Sequence, residues 1–216
     1  YALIYSLYVG VFMAYSRNLT EPLAFGLAAA GAVLWVRERS PPAALLLALA
    51  ALTKEIALLV SIGAFITALV RRDLRRAAWA AVTALPLLAW EVVLYVRLRQ
   101  IPFLAGASLV RIPLAGIVPH LNTDPGRLTA FLFAALPALA MVVVGGWHLI
   151  RCRGARPAGW WALLHGLFVV LLPLAVYNHV MHAGRNAVGM ALSAVFLVPV
   201  LKPRLRLVVL GGAVIT

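Results

Sequence analysis

The 216-residue sequence has one cysteine, six acidic residues and two lysines, and only 12% of it is charged. A lone thiol, Cys152, excludes a disulfide scaffold and every paired-cysteine metal or redox motif. Charge this sparse cannot clothe a soluble globule, in which about 25% of residues are charged. A disordered chain is excluded too, because such chains are polar and poor in apolar residues. Also missing are a nucleophile elbow, an HExxH zinc pair and a glycine-rich phosphate loop; Gly145-Gly146 and Gly211-Gly212 lack the strand-to-helix context that a phosphate loop needs. No basic n-region opens the chain at Tyr1, so the first apolar run does not read as a signal peptide. The final run from Leu207 is ten residues long, against the roughly 20 that cross a bilayer. Both ends therefore read as cut, and the expectation is an internal stretch of a longer protein.

What remains is apolar. Hydrophobic residues make up 64% of the chain and its mean hydropathy is +1.01. The net charge of +13 is not spread as a nucleic-acid-binding face would be. It falls in short clusters between apolar runs, as in the loops between transmembrane helices. Arginine outnumbers lysine 17 to 2, a usage that fits a GC-rich bacterial genome. The expectation is an all-α polytopic transmembrane bundle forming a single integral membrane domain over residues 1–216, in a bacterial inner membrane and without nucleic-acid partners.

Candidate spans are Ala2–Tyr15, Pro22–Val36, Pro42–Leu52, Ile56–Val70, Ala77–Val96, Leu128–Ile150, Gly159–Val176, Asn186–Leu201 and the run from Leu207, about eight to nine spans or half-spans. Four basic clusters separate them: Arg37 with Arg39; Arg71, Arg72, Arg75 and Arg76; Arg151, Arg153 and Arg156; and Lys202, Arg204 and Arg206. Short loops rich in Lys and Arg stay cytoplasmic, so an even number of crossings must separate successive clusters. That parity bears on Pro42 to Val70, which is apolar except for Thr53-Lys54-Glu55. Two arms turning at these residues keep both flanking clusters inside; one long tilted helix with a buried Lys–Glu pair would not. The first arm, at about 1.5 Å per residue, is about 16 Å long, too short to cross, so its turn is expected in a polar cavity open to the outside. Glu21, Glu55, Glu91 and Asp124 then lie at or near outer ends, and the chemistry faces outward. Arg97 to Arg127, dense in proline and glycine, reads as short interfacial helices.

Several residues carry the candidate chemistry. Ionisable groups inside apolar segments are costly and commonly mark function, which singles out Lys54 and Glu55; the bland reading is a solvated hairpin tip. Glu21, between Thr20 and Pro22, is explained by helix capping and the helix dipole, and equally by an outer site. Glu91, near Tyr95 and Arg97, is either a structural ion pair or a site residue. Asp124 sits in a turn-like His-Leu-Asn-Thr-Asp-Pro-Gly stretch. Tyr177 to Asn186 reads as the most polar outer loop. His179 and His182, three apart, can share a metal only if that segment is helical and a third ligand is found. Arg185 is placed either to grip phosphate or to anchor the interface. Trp160 and Trp161 read as aromatic-belt residues at the inner boundary, and Cys152 as an inert cytoplasmic thiol.

Leu19-Thr-Glu-Pro-Leu-Ala, Ala50-Ala-Leu-Thr-Lys-Glu-Ile-Ala-Leu-Leu and Leu85-Pro-Leu-Leu-Ala-Trp-Glu resemble segments of bacterial polytopic glycosyltransferases of the C type (GT-C). The likeness is to the subgroup associated with cell-surface glycopolymer formation. It is clearest over residues 19–100 and looser over Gly159 to Leu201. It implies transfer of a hexosyl or pentosyl group from a polyprenyl-phosphate-linked donor to a cell-envelope glycan, lipid or protein on the extracytoplasmic side. Carried onto Glu21, Lys54, Glu55 and Arg185 alone, it implies Glu55 and Glu21 as catalytic carboxylates and Lys54 and Arg185 on the donor phosphate; Glu91, His179 and His182 are candidate substrate-binding residues by their outer position and not by the resemblance. No cofactor is implied beyond an optional divalent cation. The family carries its catalytic acid in a first outer loop, which here would precede Tyr1. The rival readings are a transporter or flippase of lipid-linked sugars or small solutes, for which inverted repeats would be expected, and a membrane scaffold.

Overall fold

The computed structural model describes residues 11, 14–15, 19–99, 125–177, 180–203, 205–206 and 209. Every regular element among the described residues is helical. The chain groups into two compact units, Pro22–Ser108 and Tyr1–Glu21 with Leu109–Thr216.

The first unit holds α1 (Glu21–Val36, whose first residue groups with the other unit), α2 (Ser40–Thr53), α3 (Leu58–Val70), α4 (Leu74–Val82) and α5 (Leu85–Leu98). Prolines open α2 and α5 at their first turns, where a missing N–H breaks no bond and the fixed φ suits a helix. Pro86, expected inside a span, is thus an initiator. On α1, Gly31 lets Leu47 of α2 come within 3.0 Å of where a Cβ would lie. Both α2 and α3 pack on α4. Phe25, Trp35, Leu47 and Val60 are fully buried.

The apolar stretch from Pro42 to Val70 is two helices. Its break falls where polar residues interrupt it: α2 ends at Thr53, Lys54 is extended (φ −155°, ψ 118°), and a single 3-10 turn, Glu55–Ala57, leads into α3. Thr53 contributes to the ending, because its hydroxyl donates to the Leu49 carbonyl at 2.8 Å, a back-bond that bends helices.

The second unit holds α6 (Pro125–Ala130), a π-turn (Phe131–Ala135), α7 (Leu136–Arg151), α8 (Pro157–Val170), α9 (Leu174–Tyr177), α10 (Val180–Asn186), α11 (Val188–Leu197) and a 3-10 turn (Val198–Val200). The π-turn ends two residues before Pro137, whose absent N–H and bulky ring disfavour a regular α turn there. The α7–α8 contact is the most extensive in the unit. It rests on missing side chains: a Cβ on Gly166 would lie 2.8 Å from the Ala138 carbonyl oxygen, and one on Gly145 3.0 Å from the Leu163 nitrogen. Such glycines bring helix backbones together where no water drives association. Trp161 packs edge-on against Phe196 at 5.1 Å and is buried, a core residue rather than the boundary aromatic expected from sequence.

Two boundaries differ from expectation. The span foreseen over Gly159–Val176 stops at Val170, because Pro173 disfavours helical geometry in the residue before it. The polar stretch before Asn186, expected as a loop, is helical from Val180. Among the described residues two continuous helical stretches are long and apolar enough to cross a membrane: Leu74–Leu98 with 25 residues, which runs through α4 and α5, and Leu128–Arg151 with 24, which runs through the end of α6, the π-turn and α7. At about 1.5 Å per residue each exceeds a hydrocarbon core of about 30 Å. Leu88, Trp90, Val92, Val93 and Val96 of α5 are all exposed, an apolar surface of the kind that marks membrane or protein contact.

Candidate functional site

The structure joins two of the residues singled out from the sequence. Glu21 opens α1 and Arg185 lies in the last turn of α10, so each charge complements the dipole of its own helix. The Arg185 guanidinium donates through Nε at 3.1 Å and Nη2 at 3.0 Å to Glu21 Oε1. Glu21 is 3% exposed, whereas the Arg185 side chain keeps 31% of its surface open. The carboxylate is therefore sequestered and holds the guanidinium in a fixed orientation, while the Arg185 side chain as a whole stays partly exposed. Asn186 reinforces the end of α10 by donating from Nδ2 to the His182 carbonyl at 2.8 Å.

The second polar element lies in the other unit, at the break between α2 and α3. Lys54 Nζ stands 3.8 Å from Glu55 Oε1, with side chains 21% and 44% exposed. The extended backbone at Lys54 turns two neighbouring side chains of opposite charge to positions that a continuous helix would separate around its circumference. The turn thus presents an ammonium and an accessible carboxylate together.

Glu91 is half-buried on α5, and His182 is exposed on α10. His179 and Asp124 lie outside the described residues. Among the described residues no group of three His, Cys, Asp or Glu side chains is placed to hold a metal ion.

Other polar clusters carried no sequence signal. Ser193 Oγ lies 3.0 Å from His165 Nδ1, which is 2.9 Å from the Trp161 carbonyl, and both residues are buried. The Tyr177 hydroxyl donates to the Val169 carbonyl. These contacts tie α8 to α9 and α11. His165 and Ser193 are single polar residues in apolar runs with no diagnostic spacing, and only that isolation could have flagged them, whereas Tyr177 opens the polar stretch that ends at Asn186. Cys152 Sγ lies 3.6 Å from His148 Nε2 one turn earlier. A cavity of about 500 Å³ is lined by Val143, Val144, Gly146, Trp147, Ile150 and Leu205 and includes none of the candidate residues.

No known protein family matches this chain, and no curated protein or solved structure matches it either.

Proposed function

We propose that the chain serves as a GT-C type membrane glycosyltransferase, moving a sugar from a polyprenyl-phosphate donor to a cell-envelope acceptor on the extracytoplasmic side. The observation that carries this reading is the buried Glu21 carboxylate fixing Arg185 across 164 residues of sequence. Ionisable groups in so apolar a helical chain are expensive to bury and point to a functional site. A guanidinium pre-oriented by a buried carboxylate on a partly exposed side chain suits a phosphate oxygen. The resemblance over residues 19–100 supplies the reaction class. The two long apolar helices support the bilayer setting, in a multi-pass protein of the inner membrane.

In such a transfer an acceptor hydroxyl attacks the anomeric carbon and the bond from that carbon to the phosphate oxygen breaks. The polyprenyl phosphate leaves with the electron pair, and the hydroxyl proton passes to a carboxylate. Arg185 stabilises charge growing on the leaving phosphate, and Glu21 acts as its positioning residue. The α2–α3 turn of the other unit independently offers a cation, Lys54, for a phosphate and a carboxylate, Glu55, as acceptor for a hydroxyl proton.

The test uses vesicles containing the chain and a labelled polyprenyl-phosphate sugar. Arg185→Lys keeps the charge but loses the two-pronged grip, and should lower transfer by about ten-fold or more. Glu55→Gln should abolish transfer while the protein remains inserted. Undiminished transfer by Glu55→Gln would remove that residue from the reaction. Movement of the labelled donor across the bilayer with no glycosidic bond formed would replace the transferase reading with transport.

A further inference from the structure

One end of the Pro22–Ser108 unit concentrates positive charge on a pre-formed scaffold. The α1–α2 and α3–α4 connections share the same backbone turn. Arg39 N donates to the Leu34 carbonyl and Asp73 N to the Ala68 carbonyl, both at 2.9 Å, while Glu38 (φ 61°) and Arg72 (φ 57°) take left-handed conformations. This is the helix-terminating geometry that glycine usually supplies; here charged residues supply it.

Arg76 locks the two turns together. Its Nη2 donates to the Trp35 carbonyl at 2.6 Å, its Nη1 lies 3.5 Å from Glu38 Oε1, and its guanidinium stacks 4.6 Å from the Trp35 ring centroid. Asp73 Oδ1 accepts from the Arg76 backbone N–H at 2.9 Å, capping α4. Both acids of this region are therefore engaged by Arg76. Around them Arg37, Arg39, Arg72 and Arg75 are exposed. Holding like charges together is unfavourable unless an anion offsets them. Large apolar side chains adjoin the arginines in sequence and are exposed with them: Val36 at 56%, Val70 at 45% and Leu74 at 73%. A free anion has no use for these, whereas a lipid with an anionic headgroup and acyl chains satisfies both features. Basic clusters beside amphipathic or membrane helices select such lipids.

We propose that these two turns form a binding site for the phosphate headgroup of an anionic phospholipid, with Arg37, Arg39, Arg72 and Arg75 as the cationic ligands and the flanking Val36, Val70 and Leu74 on the acyl chains. The site is independent of sugar transfer, so its failure and the failure of the transferase reading are separate results.

The experiment counts lipids retained by the full chain in neutral detergent, using native mass spectrometry during titration with phosphatidylglycerol or with phosphatidylcholine of identical chains. The wild type should prefer phosphatidylglycerol by about ten-fold or more, since each basic residue near an anionic surface contributes about five-fold. Arg37→Gln/Arg39→Gln/Arg72→Asn/Arg75→Gln should abolish the preference with an unchanged unfolding midpoint; asparagine at 72 tolerates the left-handed turn. Should that variant fail to fold, the Arg37→Gln/Arg39→Gln pair is measured instead and should lose most of the preference. Arg151→Gln/Arg153→Gln/Arg156→Gln, which removes three charges from the other unit, should keep it. Four results overturn the proposal: no preference in the wild type, equal loss in the control variant, full displacement of the lipid by millimolar inorganic phosphate, or tighter binding of a single-stranded RNA than of the lipid.

Discussion

At the scale of single residues, the Glu21–Arg185 pair should dominate the response to mutation. Removing Arg185 leaves a carboxylate buried without its partner's charge, and breaking a buried pair this way costs about 3–5 kcal/mol. Replacing both members by neutral side chains removes the stranded charge along with the attraction. Arg185→Met should therefore lower the unfolding midpoint in detergent markedly, and Glu21→Gln/Arg185→Met should recover most of the loss. If the double variant is as unstable as the single one, the carboxylate does not depend on Arg185 for compensation. The residues of this pair were visible in the sequence, but their pairing was not. Glu21 announced itself between Thr20 and Pro22 at a helix start, and Arg185 as a cation at the edge of an apolar run. Nothing in local periodicity reports a contact 164 residues distant, because that contact is set by helix packing. Lys54 and Glu55 were more legible, being adjacent polar residues in an otherwise apolar stretch. Their backbone break and their contact are both local.

At the scale of elements, hydropathy located the helices well and proline corrected their ends. The α2–α3 break follows from three polar residues in sequence, whereas the end of α8 at Val170 lies within continuous apolar sequence. There the signal was Pro173, acting on the conformation of the residue before it, and a hydropathy count is blind to conformation. The α7–α8 contact gives a sharper test of what packing adds. Gly166 faces the Ala138 carbonyl at 2.8 Å from a would-be Cβ, and Gly146 on the same pair of helices has nothing within 4 Å. Gly166→Ala must push the backbones apart, and overpacking of this kind costs about 1–3 kcal/mol. Gly146→Ala meets open space and gains helix propensity, up to about 1 kcal/mol. Thermal unfolding of the two variants should shift in opposite directions, although the chemical change is identical. A common direction would show that helix propensity, not the close approach of α7 and α8, sets the response.

At the scale of the whole molecule, charge distribution predicts orientation. Twelve of the 19 basic residues fall in the four clusters assigned to the cytoplasm, and these include the connection that holds Cys152. The Thr53–Glu55 turn is assigned to the opposite side by the parity of crossings. The sole cysteine makes this directly measurable, since it is partly exposed and needs no engineered label. In right-side-out vesicles a membrane-impermeant maleimide should leave Cys152 unmodified until the bilayer is permeabilised, whereas Thr53→Cys in a Cys152→Ala background should react at once. Inverted vesicles should reverse both results. Labelling of both positions from one side would mean an even number of crossings between Thr53 and Cys152, where the charge rule and the α2–α3 break together require an odd one. If Thr53→Cys is the position labelled from the inner side, the outward-facing location on which transfer at the extracytoplasmic surface depends is removed as well. The contrast is informative because its two positions sample different determinants. Cys152 sits among arginines that the positive-inside bias assigns to the cytoplasm, while the assignment of Thr53 depends on the α2–α3 break. Agreement between them would tie a local backbone feature to the path of the chain through the bilayer.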